Sequence, residues 1–258
     1  DAPIGVSEGL RKILLDLNRA KTNQDRLKLI AKIRPKHLMP LIPANSEPRT
    51  GLAMGDHCQI TAKEWDIPRN EQDELAFASH KNMAKAYEEG FFDDMMTPFM
   101  GLDRDNNLRG DTTLEKLASL KPCFDRENGT MTAANSTPLT DGASTALLAT
   151  EEWAKERGLP ILAYITFCET AAIDFVGKKE GLLIAPAYAV PRMLDRAGIT
   201  LQDFDFYEIH EAFAAQVLYT LKAWEDEKFC KERLGRDKAL GSIDRSKLNI
   251  KGSSLAAG

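Results

Sequence analysis

Phe206-Tyr207-Glu208-Ile209-His210-Glu211-Ala212-Phe213-Ala214-Ala215-Gln216 decides how the chain is read, because an apolar run of strand type passes directly into a run of helix type. Composition and spacing predict a strand from Phe204 to Ile209 and a helix from Glu211 to about Trp224. At such a junction a strand end meets the first turn of a helix, whose free amides and positive dipole end favour negative charge. A histidine at that point, His210, is placed to donate a hydrogen bond to an oxygen that gains charge during a reaction, or to hold a water that does so. A lone His at a strand end can equally be a structural hydrogen-bonding residue, so position alone leaves both readings open.

Working outward, the same alternation continues. Ala143 to Ala149 reads as a buried strand, Thr150 as the cap of a helix closed by Gly158, Ile161 to Phe167 as a second strand, and Pro186 to Ala197 as a helix. Strand alternating with helix implies an α/β layer with a largely parallel sheet. Before residue 130 the pattern is helical instead. Leu10, Ile13, Leu14 and Leu17, then Leu27, Ile30 and Ile33, recur at three- and four-residue steps and predict two amphipathic helices. Pro40, Pro43 and Pro48 predict an extended connection over 40–46. Helices are expected at 55–66 and at 70–89, the second capped by Asn70 and stopped by Gly90, with a polar irregular stretch over 93–109. Thr112 and Glu115 suggest a capping box for a short helix that ends at Lys121-Pro122.

Bulk properties narrow the class. A hydrophobic fraction of 43% over 258 residues suffices for a sizeable core, and no run approaches the roughly 18 apolar residues of a membrane span. Cys58, Cys123, Cys168 and Cys230 are widely separated and form no Cys-x-x-Cys pair, which argues against a zinc site or a disulfide framework. Net charge is −5, but residues 1–37 hold nine Lys/Arg against four Asp/Glu, or +5, leaving −10 for the remainder. A basic amphipathic front suits an anionic membrane surface or a phosphate-bearing ligand, and equally a solvated helix face. Without interleaved aromatics it does not suit nucleic acid.

Longer motifs sharpen the picture. His210-Glu211-Ala212-Phe213-Ala214-Ala215-Gln216 resembles the strand-to-helix motif of the thiolase family, with His where most members carry Asn. Leu117-Ala118-Ser119-Leu120-Lys121-Pro122-Cys123-Phe124, then Asn128-Gly129-Thr130-Met131-Thr132-Ala133-Ala134-Asn135-Ser136-Thr137 and Asp141-Gly142-Ala143, is similar to a second signature of that family. Leu52-Ala53-Met54-Gly55 and Glu71-Gln72-Asp73 match a third, and all occur in family order over nearly the whole chain. Leu14-Leu15-Asp16-Leu17-Asn18-Arg19-Ala20-Lys21, Gln24-Asp25-Arg26-Leu27 and Pro43-Ala44-Asn45-Ser46-Glu47 resemble the beta-subunit branch of trifunctional complexes.

The resemblance implies a layered α/β/α fold with mainly parallel sheets plus a mostly helical loop subdomain, the N-terminal half and the C-terminal end of that fold being largely missing. It implies a loop subdomain over 1–138, the end of an N-terminal half over 139–159 and the start of a C-terminal half over 160–258. It further implies thiolytic cleavage of 3-ketoacyl-CoA in fatty-acid β-oxidation, with coenzyme A as substrate and no metal or redox cofactor. His210 would be the catalytic oxyanion donor, Met54, Phe124, Ala133, Thr137, Ala212 and Phe213 would line the pantetheine tunnel, and Glu211 would orient the surrounding loops. A nucleophilic Cys would precede Asp1 and a catalytic His would follow Gly258, so the stretch reads as an internal portion of a longer enzyme. Expected partners are acyl-CoA, a second copy, an alpha subunit with hydratase/dehydrogenase activity and a peripheral membrane surface. The expected location is a bacterial cytoplasm or a mitochondrial matrix. A non-catalytic CoA-binding scaffold and a biosynthetic acetoacetyl-CoA thiolase are the rival readings.

Overall fold

Helices form where the apolar repeat coincides with a cap that satisfies the first free amides. In the computed structural model, which describes residues 5–177 and 180–258, Ser7 accepts from Leu10 N at 3.2 Å to open α1 (Glu8–Arg19), and Thr22 accepts from Asp25 N at 3.1 Å to open α2 (Asn23–Ile30). These two helices belong to the first of two compact units, residues 1–53. Within it the Ser7 hydroxyl also donates to His37 O at 2.8 Å, and a Cβ on Gly9 would fall 2.8 Å from the His37 ring. Ile13 is buried, whereas Leu27 and Ile42 are 66% and 81% exposed, so this unit keeps an apolar surface beside its basic residues.

The second unit, residues 54–258, is organised around α8 (Ala214–Glu225). Ten of its twelve residues are buried, from Ala214 through Leu221 together with Ala223 and Trp224, and a helix apolar on every side belongs in the interior. Around it pack α3 (Met54–Glu64), α4 (Arg69–Glu88), α7 (Pro186–Ala197) and α9 (Glu227–Leu234). Full burial of residues such as Val217, Leu218 and Leu221 contributes about 1.5–3 kcal/mol each. Two short helices complete the early part, α5 (Leu114–Ala118) and α6 (Glu151–Glu156), and α10 (Ser254–Ala257) packs on α4. No helix among the described residues is long and apolar enough to cross a membrane.

Several expected boundaries move by one to three residues. Pro68 rather than Asn70 precedes α4, because the helix begins at Arg69 and Asn70 already lies inside it. Thr113 rather than Thr112 caps α5, accepting from Lys116 N, and the helix stops at Ala118. α8 starts at Ala214, which leaves His210, Glu211 and Ala212 in the turn before it. Thr150 and Gly158 bracket α6 as expected, with Gly158 at φ 64.

The expected strands differ more. Among the described residues, β pairing is confined to isolated bridges, and Phe204–Ile209 contributes one of them, the parallel bridge from Tyr207 to Leu248. Ala143–Ala149 and Ile161–Phe167 form no strand: Leu147 is 73% and Leu162 92% exposed. An apolar strand is held by the ladder on its flanks, and the described residues supply none beside these two runs.

Gly252 fixes the approach of the last segment to α4. Its φ is 79°, and an added Cβ would lie 2.5 Å from Met83 Cβ and 2.7 Å from Ser79 O. Gly198, also at positive φ (68°), has nothing within 4 Å of that position. Gly198→Ala should therefore cost only about 1 kcal/mol of backbone strain, whereas Gly252→Ala adds a collision of about 1–3 kcal/mol more. Equilibrium urea unfolding of the two variants should show the larger midpoint loss for Gly252→Ala, and equal losses would remove the steric argument.

Candidate functional site

The segment before α8 is held by main chain as far as Tyr207 and by side chains beyond it. Tyr207 N donates to Lys247 O at 3.0 Å and Asn249 N donates to Tyr207 O at 2.9 Å. After that Asn249 turns into the left-handed conformation, φ 47°, which asparagine tolerates better than most residues. Its side chain then takes over the pairing: Oδ1 accepts from Ile209 N and Nδ2 donates to Ile209 O, each at 2.9 Å. The same Nδ2 donates to Glu211 Oε1 at 2.7 Å. His210 lies between these two anchored neighbours and is itself exposed.

Glu211 is 1% exposed. Its Oε2 accepts from the Ser79 hydroxyl at 2.7 Å and from Leu255 N at 3.4 Å, while its own N donates to Ser254 Oγ at 2.8 Å. Burial raises the carboxyl above the ordinary range, and the hydrogen bonds from Ser79 and Asn249 oppose that rise. One side chain thus joins α4, the His210 turn and the segment from Asn249 to Gly258.

A second buried polar set fixes the hydroxyl-rich run. Gln59 Oε1 accepts from Thr130 N at 2.9 Å and Met131 N at 3.0 Å, and Gln72 Nε2 donates to Thr130 Oγ1 at 2.9 Å. Asn135 Nδ2 donates to Asp73 Oδ1 at 3.0 Å, and the other oxygen of Asp73 accepts from Arg69 Nε at 2.7 Å. Held this way, the run zips onto the site: Thr137 N donates to Ala212 O at 2.9 Å, Ala214 N to Asn135 O at 3.0 Å, and Ser136 bridges to Phe213. The Thr137 hydroxyl continues to Ser254 O at 2.8 Å.

Of the residues expected at the site, His210, Ala212, Phe213, Thr137 and Phe124 form one connected set, and Met54 adjoins it as the chain neighbour of Gly55. Phe213 meets Phe124 edge to face, with ring centroids 5.9 Å apart, and the Phe124 ring lies where a Cβ on Gly55 would stand, so only glycine fits beside the exposed Met54. Ala133 falls elsewhere, in a recess of about 370 Å³ lined by His80, Asn107, Arg109, Lys116, Ser136 and Leu255, among others. There the Ser136 Oγ is buried without a hydrogen-bond partner among the described residues. Burial, then Arg109 and Lys81, lower the His80 imidazole below its ordinary range. Sequence reading did not single out Ser79, Asn249, Gln59 or Asn135 individually. Only the positive-φ tolerance of asparagine near Gly252 offered a signal for Asn249.

The cysteines divide cleanly. Cys58 and Cys230 are buried, Cys123 and Cys168 exposed, and burial pushes the Cys58 thiol up to about 12. At neutral pH Cys58 is therefore a protonated thiol with little nucleophilic character.

Comparison with known proteins bears on the family and the fold. The family profile described as "Thiolase, N-terminal domain" matches residues 19–152, and "Thiolase, C-terminal domain" matches residues 159–258. The chain is 47% identical over 262 aligned positions to a 3-ketoacyl-CoA thiolase of Pectobacterium carotovorum and 45% identical to one of Yersinia pestis. Each alignment covers 99% of this chain and 59% of the relative, so the chain spans less than two thirds of those relatives' length. Among solved structures, it is similar to an acetyl-CoA acetyltransferase of Bacillus anthracis, with a TM-score of 0.66 at 34% identity over 83% of this chain and 50% of the other. It is also similar to the human mitochondrial 3-ketoacyl-CoA thiolase in complex with CoA, with a TM-score of 0.67 at 27% identity over 83% and 49% of the two chains. These matches carry the α/β thiolase fold expected from the motifs.

Iodoacetamide applied to the native protein should alkylate Cys123 and Cys168 and spare Cys58 and Cys230, as read by peptide mass. An adduct on Cys58 before denaturation would show that its site opens and that its thiol is available.

Proposed function

The chain belongs to the thiolase family, and on that premise we propose that the protein carrying it is a 3-ketoacyl-CoA thiolase that transfers an acyl group to free coenzyme A in fatty-acid β-oxidation. The observation that carries this reading is the exposed His210, set in a turn whose two neighbours are both fixed by hydrogen bonds, part-buried at Ile209 and buried at Glu211. A backbone held that way fixes the point from which the imidazole enters the site, which supports placing an oxyanion donor there. His210 is the proposed catalytic donor. Met54, Phe124, Ala212, Phe213 and Thr137 are proposed to line the path of the pantetheine arm, and Ala133 to extend it on the side of the second recess.

In the reaction a cysteine thiolate adds to the 3-keto carbon, the C2–C3 bond breaks with its electron pair left on the acetyl-CoA fragment, which takes up a proton, and the thiolate of coenzyme A then attacks the resulting thioester and releases the cysteine thiolate. A cysteine suits both steps, as strong nucleophile and as leaving group. Cys58 is not assigned that role, since burial keeps its thiol protonated. The N-terminal half is proposed to end over residues 139–159 and the C-terminal half to start at residue 160, a reading supported by one profile match ending at 152 and the next beginning at 159.

For partners, we propose a second copy and an alpha subunit with hydratase/dehydrogenase activity. We further propose peripheral contact with an anionic membrane through the basic first unit, where Leu14, Leu15, Leu27 and Ile30 are exposed beside the lysines and arginines. The corresponding location is the cytoplasm of a bacterium or the mitochondrial matrix.

The full-length protein should cleave acetoacetyl-CoA and longer 3-ketoacyl-CoA substrates when free CoA is supplied. His210→Ala should lower kcat by about 10²-fold or more. A folded full-length protein with no turnover would favour a CoA-binding scaffold, and a near-normal kcat in His210→Ala would return that residue to a structural role. Binding to vesicles rich in anionic lipid should weaken as salt rises from about 0.05 to 0.5 M, because a Debye length of about 10 Å at 0.1 M screens such contacts. Salt-independent binding, or none, would leave the basic front a solvated face.

A further inference from the structure

Ser79 lies within α4, is 2% exposed, and belongs to none of the motifs that led to the site. Its hydroxyl is nevertheless shared between the turn that carries the proposed donor His210 and the segment Ser253–Gly258, whose Ser254 O accepts from the proposed lining residue Thr137. It donates to Glu211 Oε2 at 2.7 Å and accepts from Ser253 N at 3.0 Å. A single oxygen atom therefore sets the separation between the turn carrying His210 and the segment Ser253–Gly258.

The surrounding contacts make that link short and stiff. Glu211 N donates to Ser254 Oγ at 2.8 Å, and Leu255 N reaches Glu211 Oε2 at 3.4 Å. Gly252, one residue before Ser253, presses so closely on α4 that a Cβ there would lie 2.7 Å from Ser79 O. The opposite edge of the same segment is tied to the hydroxyl-rich run through Thr137. Ser79 sits on a twenty-residue helix, and constellations anchored on such elements hold their geometry better than those carried on loops.

We infer that Ser79 is a positioning residue for acyl transfer, holding the Ser253–Gly258 segment in register with the His210 turn through Glu211. The inference rests on the thiolase reading above. Ser79 touches no substrate and acts only through the residues it holds. Removing the hydroxyl leaves Ser253 N without its acceptor and takes from Glu211 Oε2 the shorter of its two donors. The two segments can then shift against each other, and displacements near 1 Å in a reacting constellation cost on the order of 10²-fold in rate.

The test uses the full-length protein, with wild type assayed alongside. Ser79→Ala should lower kcat for 3-ketoacyl-CoA thiolysis by about 10-fold or more while KM stays within about twofold, since ground-state binding is not what the hydroxyl serves. Ser79→Thr, which restores the hydroxyl, should recover most of kcat. A mere packing role predicts the reverse order, because Ala removes one atom whereas Thr adds a methyl to a buried position. Should Ser79→Ala fail to fold, Ser79→Cys gives the same reading, since it keeps the volume and weakens both hydrogen bonds. A wild-type kcat in the folded Ala or Cys variant, or a loss carried by KM alone, overturns the assignment. Absence of thiolysis by wild type overturns the acyl-transfer reading itself, whereas turnover by wild type with an indifferent Ser79→Ala overturns only the role of Ser79.

Discussion

A carboxylate buried without a cation is the constraint on which the rest of this site depends. Glu211 has left water almost completely, and the donors that compensate it are a hydroxyl, a carboxamide and a main-chain amide, with no Lys or Arg among them. Each donor comes from a different place: α4, the left-handed Asn249 and the first turn of α10. Because an unpartnered carboxylate in that position would cost several kcal/mol, the three segments are held together by a common requirement as well as by their own packing.

His210 acquires its geometry from this arrangement. Its own side chain is exposed, so nothing packed around the ring holds it. The constraint comes from the main chain on either side: Ile209 is paired in both directions with the Asn249 carboxamide, and Glu211 is fixed at N and at both carboxylate oxygens. A side chain can thus stay accessible to a ligand while its backbone is held rigidly. The buried α8 supports the same end, because its first turn is pinned by Asn135 O at Ala214 N and by the Phe124 ring against Phe213.

How much of this was legible in the sequence depends on the range of the interaction responsible. α7, from Pro186 to Ala197, and the Thr150 cap are local events, set by a proline, a glycine and a hydroxyl within a few residues, and they read directly. The slips at α4, where Pro68 stands at the cap two residues before Asn70, and at α5, where Thr113 takes the place expected of Thr112, are local too. His210, Phe213 and Thr137 were singled out because they lie in long motifs. Ser79 and Asn249 were not, since a serine within a helix and an asparagine in a polar loop look ordinary until a partner far along the chain meets them. Ala143–Ala149 and Ile161–Phe167 failed as strands for the related reason that composition encodes a preference for extension but not the neighbour that completes a ladder.

The sign of the Glu211 shift bears on why such a network would be kept. Burial raises its pKa, so desolvation outweighs the hydrogen bonds that favour the charged form, and ionising this group costs more in the fold than in water, a cost that an apolar cluster of similar volume would not carry. What an apolar cluster lacks is direction. Leucine or methionine at this position would fill the space equally well with α4 and the Asn249 segment displaced by a fraction of an ångström. A carboxylate with donors at 2.7 Å on both oxygens does not permit that displacement without losing a hydrogen bond. Stability is thus exchanged for a fixed register between the His210 turn and the Ser253–Gly258 segment, which the hydrophobic core alone cannot specify.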